Sequence, residues 1–375
     1  MMQPRPRESR VDALILGGGL AGAALGALLA QQGQAVEIIE KNPAMHHKVC
    51  GEFLSHEALF YLERLGINLS SLGAVPIRRL RVAANKLIVE CELPFPAMSL
   101  SRRALDEALL ERASLVGATV LRGRRVESLT KKDSGWVAQL SDGEFRHGSN
   151  TFLATGKYDV GGHPRPAGRQ NDLVAFKMYF RLAASQQAAL ANQVELVLFP
   201  GGYAGLQLVE DGTANLCLLV TRERLRSCGG QWSGLFGHML RESDYLAQRL
   251  EGSEPLLEKP LAVSSIPYGL LQQHAYDGLW RLGDQAAVIP SFSGDGMAIA
   301  LHSAHLAARI FLAGGSAESF QSRLCHELRF SVVMATVVSR AVIANPVLAQ
   351  VGRLWPSLLR HIASGTRIPA HALQR

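Results

Sequence analysis

Residues 13–30 read ALILGGGLAGAALGALLA, an uncharged run behind the basic start MMQPRPRESR. A basic head and an apolar run are how an export signal begins, and this run is nearly long enough to cross a bilayer. Its internal order points elsewhere. Gly17, Gly19 and Gly22 stand in G-x-G-x-x-G spacing, with Gly26 a turn further on. VDALIL (11–16) precedes them as a short buried-strand pattern, and QAVEIIEK (34–41) follows as a second strand that reaches Glu40. Strand, glycine turn, helix, strand and terminal acid in about thirty residues are the parts of an adenine-dinucleotide site.

Each part has a physical task. Gly17 permits the tight turn out of the strand, Gly19 lets backbone approach a pyrophosphate, and Gly22 lets the helix pack closely on the sheet. A helix from about Leu20 to Gln32 points its first N–H groups, at Leu20 and Ala21, and its positive dipole end toward the phosphates. Glu40 accepts from a ribose diol and repels a 2′-phosphate, with Lys41 beside it.

The 375 residues suggest two domains or one large composite. At 47% apolar and 19% charged, the chain suits a globular enzyme rather than a disordered or fibrous one. The net charge of +7 is not gathered into a basic block, which argues against a nucleic-acid partner. Cys50, Cys91, Cys217, Cys228 and Cys325 are widely spaced with no C-x-x-C, which fits a reducing, cytoplasmic setting and argues against a disulfide framework or a metal site.

Four further stretches bear on which dinucleotide is bound: KVCGEFLS (48–55), SRRALDEALLERASLVGATV (101–120), TFLATGK (151–157) and LWRLGDQAAVIPSFSGDGMAIAL (279–301). With the glycine fingerprint they resemble, over most of residues 10–310, the flavoprotein superfamily of p-hydroxybenzoate hydroxylase, the flavin halogenases and the geranylgeranyl reductases. The resemblance implies FAD. It places Cys50 and Gly51 near the flavin ring, Arg102 on the FAD with Asp106 behind it, and Val126, Thr155 and Gly156 at the cofactor. It also places Asp284 on the ribityl chain, with Pro290, Gly294, Gly296 and Met297 around the flavin pyrimidine. The last stretch has a physical reading of its own. Asp284 ends a strand, a turn-rich loop follows, and a helix from about Met297 to Leu312 presents its positive end to the anionic reduced flavin.

The expected fold is therefore α/β: a Rossmann-like FAD-binding domain of the glutathione reductase type, with an inserted antiparallel β-sheet substrate domain and a helical C-terminal tail. The FAD domain takes residues 1–75, 99–171 and 269–315, with strands near 11–16, 35–39, 118–121, 149–154 and 278–282. A hairpin in 76–98 joins the substrate domain, 172–268, which reads as strands at 173–182, 194–200, 203–210 and 215–220. The tail, 316–375, has a large apolar face broken by Arg340, Pro346, Arg353 and Pro356. It reads as a bundle packed on the FAD domain, or as a face that makes peripheral membrane contact.

Flavin would carry the chemistry, and the protein would supply shape and electrostatics. Cys50 is either a proton donor or a small packing residue. Asp295, between two glycines at a helix start, is either an N-cap or a carboxylate that steers protonation. Glu52, His46 and His47 are further candidates. His302 and His305 read as packing, with no carboxylate partner in view. Tyr203, Phe199 and Gly205 are the substrate-side candidates. Gly205 stands where geranylgeranyl reductases carry the Trp of Y-x-W-x-F, and this widens the pocket.

The reaction expected first is monooxygenation of an apolar aromatic or polyketide-like small molecule. The hydroxylase motif D-G-x-x-S-x-x-R is replaced here by ATGKYDVGGHPRP (154–166). The alternative is a geranylgeranyl reductase-like enzyme that reduces C=C bonds of an isoprenoid or lipid. A flavin electron carrier stands behind both, as does a halogenase, for which W-x-W-x-I-P is missing. With no second glycine fingerprint, NAD(P)H would bind transiently or a partner protein would donate electrons.

Overall fold

The computed structural model describes residues 10–84, 87–133, 135–275, 277–344, 365 and 367–373. Pro346, Arg353 and Pro356 of the expected tail lie outside them.

Two sheets organise the described residues. The first has seven strands, in the order Thr119–Arg122, Val36–Glu40, Arg10–Leu16, Phe145–Leu153, Gly135–Leu140 and Val126–Lys132, with Trp280–Arg281 also on Phe145–Leu153. The pairs around Arg10–Leu16 are parallel, with Ile15 opposite Ile38 and Phe152. Such a strand is covered on both faces and so reads as an unbroken apolar run; Ala13, Leu14, Ile15 and Leu16 are all fully buried. The helices Leu20–Ala30, Arg102–Leu115 and Gly296–Leu312 share one core on one side of this sheet. The sequence did not reveal the antiparallel pair Val126–Lys132 and Gly135–Leu140, because its polar outer edge carries little apolar signal.

The second sheet has nine strands. Its order is Glu254–Pro255, Leu173–Arg181, Ala214–Thr221, Gly202–Leu208, Gln193–Phe199, Val75–Ala84, Leu87–Ser99 and Phe53–Leu54, with Leu261–Ser264 also on Leu173–Arg181. Its pairings are antiparallel except that Gln193–Phe199 runs parallel to Val75–Ala84, which brings the early hairpin into the sheet as expected. Alternation divides its two faces. Val174, Phe176, Met178 and Phe180 pack with Leu235, Met239 and Leu246 of the outer helices Trp232–Glu242 and Asp244–Arg249. Leu173, Ala175, Tyr203 and Leu219 look the other way, toward Val288 and Phe292 of the FAD side. The expectation of strands alone across 172–268 is thus corrected: the helices Ala184–Leu190, Arg222–Ser227, Trp232–Glu242 and Asp244–Arg249 lie in the same span. They are too short to show a sustained helical period.

Beyond the FAD domain, Ala317–Ala344 is one helix that buries Phe320, Leu324, Leu328 and Val332 in the first core. No helix among the described residues is long and apolar enough to cross a membrane.

Candidate active site

The glycine loop is built as its spacing requires. Gly17 takes φ +107°, a region open to glycine, and its N–H donates to the Ile39 carbonyl at 2.8 Å. A Cβ on Gly22 would collide with the Gly17 carbonyl oxygen, so turn and helix meet backbone to backbone. The helix Leu20–Ala30 has no side-chain cap and no acid in its first turn, which leaves its N–H groups for a ligand.

Two cations converge over this end. A Cβ on Gly19 would lie 3.4 Å from Lys48 Nζ and 3.6 Å from Arg102 Nη2. Asp106 holds both: Lys48 Nζ lies 2.7 Å from one carboxylate oxygen, and Arg102 donates to both oxygens at 2.8 and 3.0 Å. Burial pushes the Asp106 carboxyl up, but Arg102 and Lys48 outweigh it and keep it below its usual range. A bare glycine, a free helix end and two cations against one anion make a cradle for a pyrophosphate. Beside it, Glu40 accepts from the N–H of Gly18 at 2.8 Å and from Asn42 N and Nδ2 at 3.0 and 2.7 Å. Burial raises this carboxyl, while Lys48 and those hydrogen bonds lower it further, so it stays ionised and able to accept from a ribose. These residues fit an adenine dinucleotide. Lys41 caps the Tyr158 ring at 3.4 Å.

The KVCGEFLS loop joins the cradle to the second sheet. Cys50 Sγ accepts from the N–H of Glu52 at 3.4 Å and lies beside the Arg102 guanidinium. The carbonyls of Cys50 and Gly51 accept from Asn215 Nδ2 at 3.2 and 2.9 Å. Glu52 is fully buried at φ +62°, an uncommon conformation for a side-chain-bearing residue. Its Oε1 accepts from the N–H of Arg102 at 2.7 Å and from Tyr179 Oη at 2.8 Å, and it meets Lys177 Nζ at 2.5 Å. Burial drives this carboxyl up against the pull of Lys177. His47 lies on the Tyr179 ring, and His46 Nε2 meets Asn42 Nδ2 at 3.0 Å. Sequence reasoning missed Lys177, Tyr179 and Asn215. The available signal was a lysine inside the apolar strand LVAFKMYF (173–180) at an inward register position.

The remaining expected cofactor residues gather near the two turns that face this loop. Gln285 Nε2 donates to the Gly156 carbonyl at 2.8 Å, which ties the Thr155–Gly156 turn to the turn that carries Asp284. Pro290 opens the next loop, where Gly294 takes φ +75° against the Phe53 ring. Tyr203 Oη accepts from the N–H of Phe292 at 3.0 Å. The helix Gly296–Leu312 begins with no acid in its first turn, and Met297 is buried in the core. Val126 instead packs with Leu14, Leu16 and Ile39, on the other face of the first sheet from that core.

Three expectations change. Asp295 occupies the N-cap position but makes no side-chain cap bond. Its carboxylate pairs with Arg367 at 2.5 Å, and burial pushes it up to about 7, with Arg367 opposing. Phe199 lies on the helix-covered face of the second sheet, because it is an even number of residues from Val197 and an odd number from Leu198. His302 does have a carboxylate partner: Nε2 meets Glu327 at 2.8 Å, and Nδ1 meets Tyr61 Oη at 2.6 Å, joining three helices. Glu327 arrives from the next helix, which is why local spacing hid it.

Comparisons with known proteins agree with this geometry. Residues 10–156 match the FAD binding domain family. The menaquinone reductase of Mycolicibacterium smegmatis is 25% identical over 330 residues, covering 82% of this chain and 78% of that protein. The flavin-dependent brominase Bmp2 superposes with a TM-score of 0.80 at 15% identity, covering 97% of this chain and 95% of that one. The halogenase PltM, solved with phloroglucinol and FAD, gives 0.73 at 18% identity over 89% and 76%. Residues 10–156 thus carry an FAD binding domain, and the chain as a whole shares the fold of flavin-dependent enzymes.

Proposed function

We propose that this FAD-dependent oxidoreductase reduces a carbon–carbon double bond of an apolar isoprenoid or lipid-like molecule. One observation carries the reading. The Cys50 thiol, held by the Glu52 N–H and lying beside Arg102, sits in the loop that joins the cofactor cradle to the inner face of the second sheet. That same face bears no side chain at Gly205, where a Cβ would make only ordinary contacts, at 3.7 Å to the Cys217 carbonyl oxygen and 3.9 Å to Leu196. The likeness to a menaquinone reductase over 82% of the chain supports it.

FAD, when bound, supplies the hydride. Lys48, Arg102 and the Gly19 backbone would hold its pyrophosphate, and Glu40 its ribose. Val82, Leu198 and Tyr203 form an apolar wall that keeps water from the reacting carbons. Cys50 holds a proton at Sγ for the carbon that does not receive hydride. Electrons come from NAD(P)H bound transiently or from a partner protein.

A second reading, monooxygenation of an apolar aromatic or polyketide-like molecule, is supported by the match of residues 10–156 to a p-hydroxybenzoate hydroxylase-type domain. The test separates them. Anaerobically reduced protein is mixed with a prenylated quinone, flavin reoxidation is followed, and the product is weighed. A gain of two hydrogens on the prenyl chain, retained after the ring is reoxidised to the quinone and lost in Cys50→Ala, is expected. A product heavier by one oxygen, formed only in air, would replace the reductase with the monooxygenase. Gly205→Trp should weaken substrate binding about tenfold while the protein keeps its flavin, as a filled pocket requires; unchanged substrate affinity would place the pocket elsewhere.

A further inference from the structure

The inner face of the second sheet is apolar except at one end, and there the polar groups are incompletely used. Two register rows cross it. Tyr179, Asn215 and Gln207 stand opposite one another on three adjacent strands; in the next row stand Lys177, Cys217 and Gly205. Gln207 and Asn215 are 2% and 1% exposed, yet Gln207 Nε2 and Asn215 Oδ1 have no hydrogen-bond partner among the described residues. Lys177 is fully buried with its charge balanced by Glu52, and its ammonium finds no oxygen other than that carboxylate. A buried polar atom without a partner costs about 1–3 kcal/mol. Two such atoms in one register row, beside a buried ammonium held by a single carboxylate and the bare backbone of Gly205, are hard to reconcile with packing alone.

We propose that Lys177, Gln207 and Asn215 form an oxygen-recognising subsite, so that the substrate carries a carbonyl- and hydroxyl-bearing ring head group rather than bare hydrocarbon alone. Lys177 and Gln207 donate to carbonyl-type oxygens, and Asn215 Oδ1 accepts from a hydroxyl. The two rows are neighbours on one face and the strands about 4.8 Å apart, so the three groups span a single ring. Glu52 is the positioning residue: held by the Arg102 N–H and the Tyr179 hydroxyl, it keeps the Lys177 charge in place without covering every N–H. Asn215 also fixes the Cys50–Gly51 carbonyls through Nδ2, so head-group recognition and the thiol loop share a residue. The inference rests on reading this face as the substrate face.

The test reads binding rather than turnover. Full-length, FAD-loaded, oxidised protein is titrated with 2-methyl-1,4-naphthoquinone and with 2-methylnaphthalene, following the visible flavin spectrum. The quinone is expected to bind at least tenfold tighter, and Lys177→Met and Gln207→Leu should each bring the ratio toward one. Gln207→Leu should leave the melting temperature unchanged or raise it, because it removes an unpartnered donor. A structural glutamine would give the opposite, a lower melting temperature with the ratio intact. Equal binding of both probes by the unaltered protein, or an undiminished ratio in Gln207→Leu, overturns the subsite even if Lys177→Met fails to fold. Loss of C=C reduction with this discrimination intact would sink the reductase reading alone.

Discussion

At the scale of single residues, the glycines separate fold from cofactor. Gly22 has no room for a side chain, since its Cβ would strike the Gly17 carbonyl. Gly19 has room in the protein itself, because a Cβ there would make only ordinary contacts with Lys48 and Arg102. Its bareness matters to the ligand. Gly19→Val should therefore purify folded and colourless, with an apoprotein melting temperature within a few degrees of the unaltered one, whereas Gly22→Val should fail to fold. A yellow Gly19→Val protein would remove the cradle. These glycines were legible because each task lies within a few residues of the others. Lys48, Asp106 and Lys177 were not read as one electrostatic unit with them, since tertiary folding alone brings them to the loop. Phe199 and Tyr203 were read together, and strand parity parted them.

At the scale of one element, the helix Gly296–Leu312 carries a buried carboxyl at its start and a half-buried imidazole, with opposite pH habits. Asp295 at its start is raised from 3.8 to about 7, first by burial. The stability from its neutral form is complete below its unfolded value and is lost as pH rises through the folded one. His305 is lowered from 6.5 to about 4, also first by burial. Its contribution is complete above its unfolded value and is lost as pH falls through the folded one. At 1.36 kcal/mol per unit, these are upper figures of about 4 and about 3 kcal/mol, and they oppose each other where the windows overlap, between about pH 4 and 6.5. Asp295→Asn should thus make the protein more acid-labile relative to its own stability at neutral pH, by up to about 3 kcal/mol. Urea unfolding at pH 4.5, 5.5, 6.5 and 7.5 measures this. A variant profile parallel to that of the unaltered protein would show that the Asp295 proton does not matter to the fold. The sequence offered a helix cap here; the partner that changed the reading, Arg367, comes from the far end of the chain.

At the scale of the molecule, the two sheets meet where the cofactor would lie. The first sheet was legible because its buried parallel strands and glycine turn are local signals, while the outer helices of the second sheet are short and take their stability from packing. The expected ligand contacts are scattered: Gly17–Leu20 on the first sheet, Lys48–Gly51 on a loop tied to the second by Asn215, Arg102 on a helix start, and the loop after Pro290 pinned by Tyr203. A ligand that touches all of them couples both sheets. At a hundredfold excess over its dissociation constant, FAD would add about 2.7 kcal/mol, a rise of several degrees in melting temperature. The rise should appear in both halves. Trp280 lies in the first core and Trp232 packs on Phe176 at the outer face of the second sheet, so variants that keep only one of these tryptophans report each half by fluorescence. Both transitions should move together with added FAD, and neither should move in Gly19→Val. If Trp280 shifts while Trp232 stays, FAD binds the first sheet without bracing the second. The inner face of the second sheet would then have to be organised by substrate rather than by cofactor.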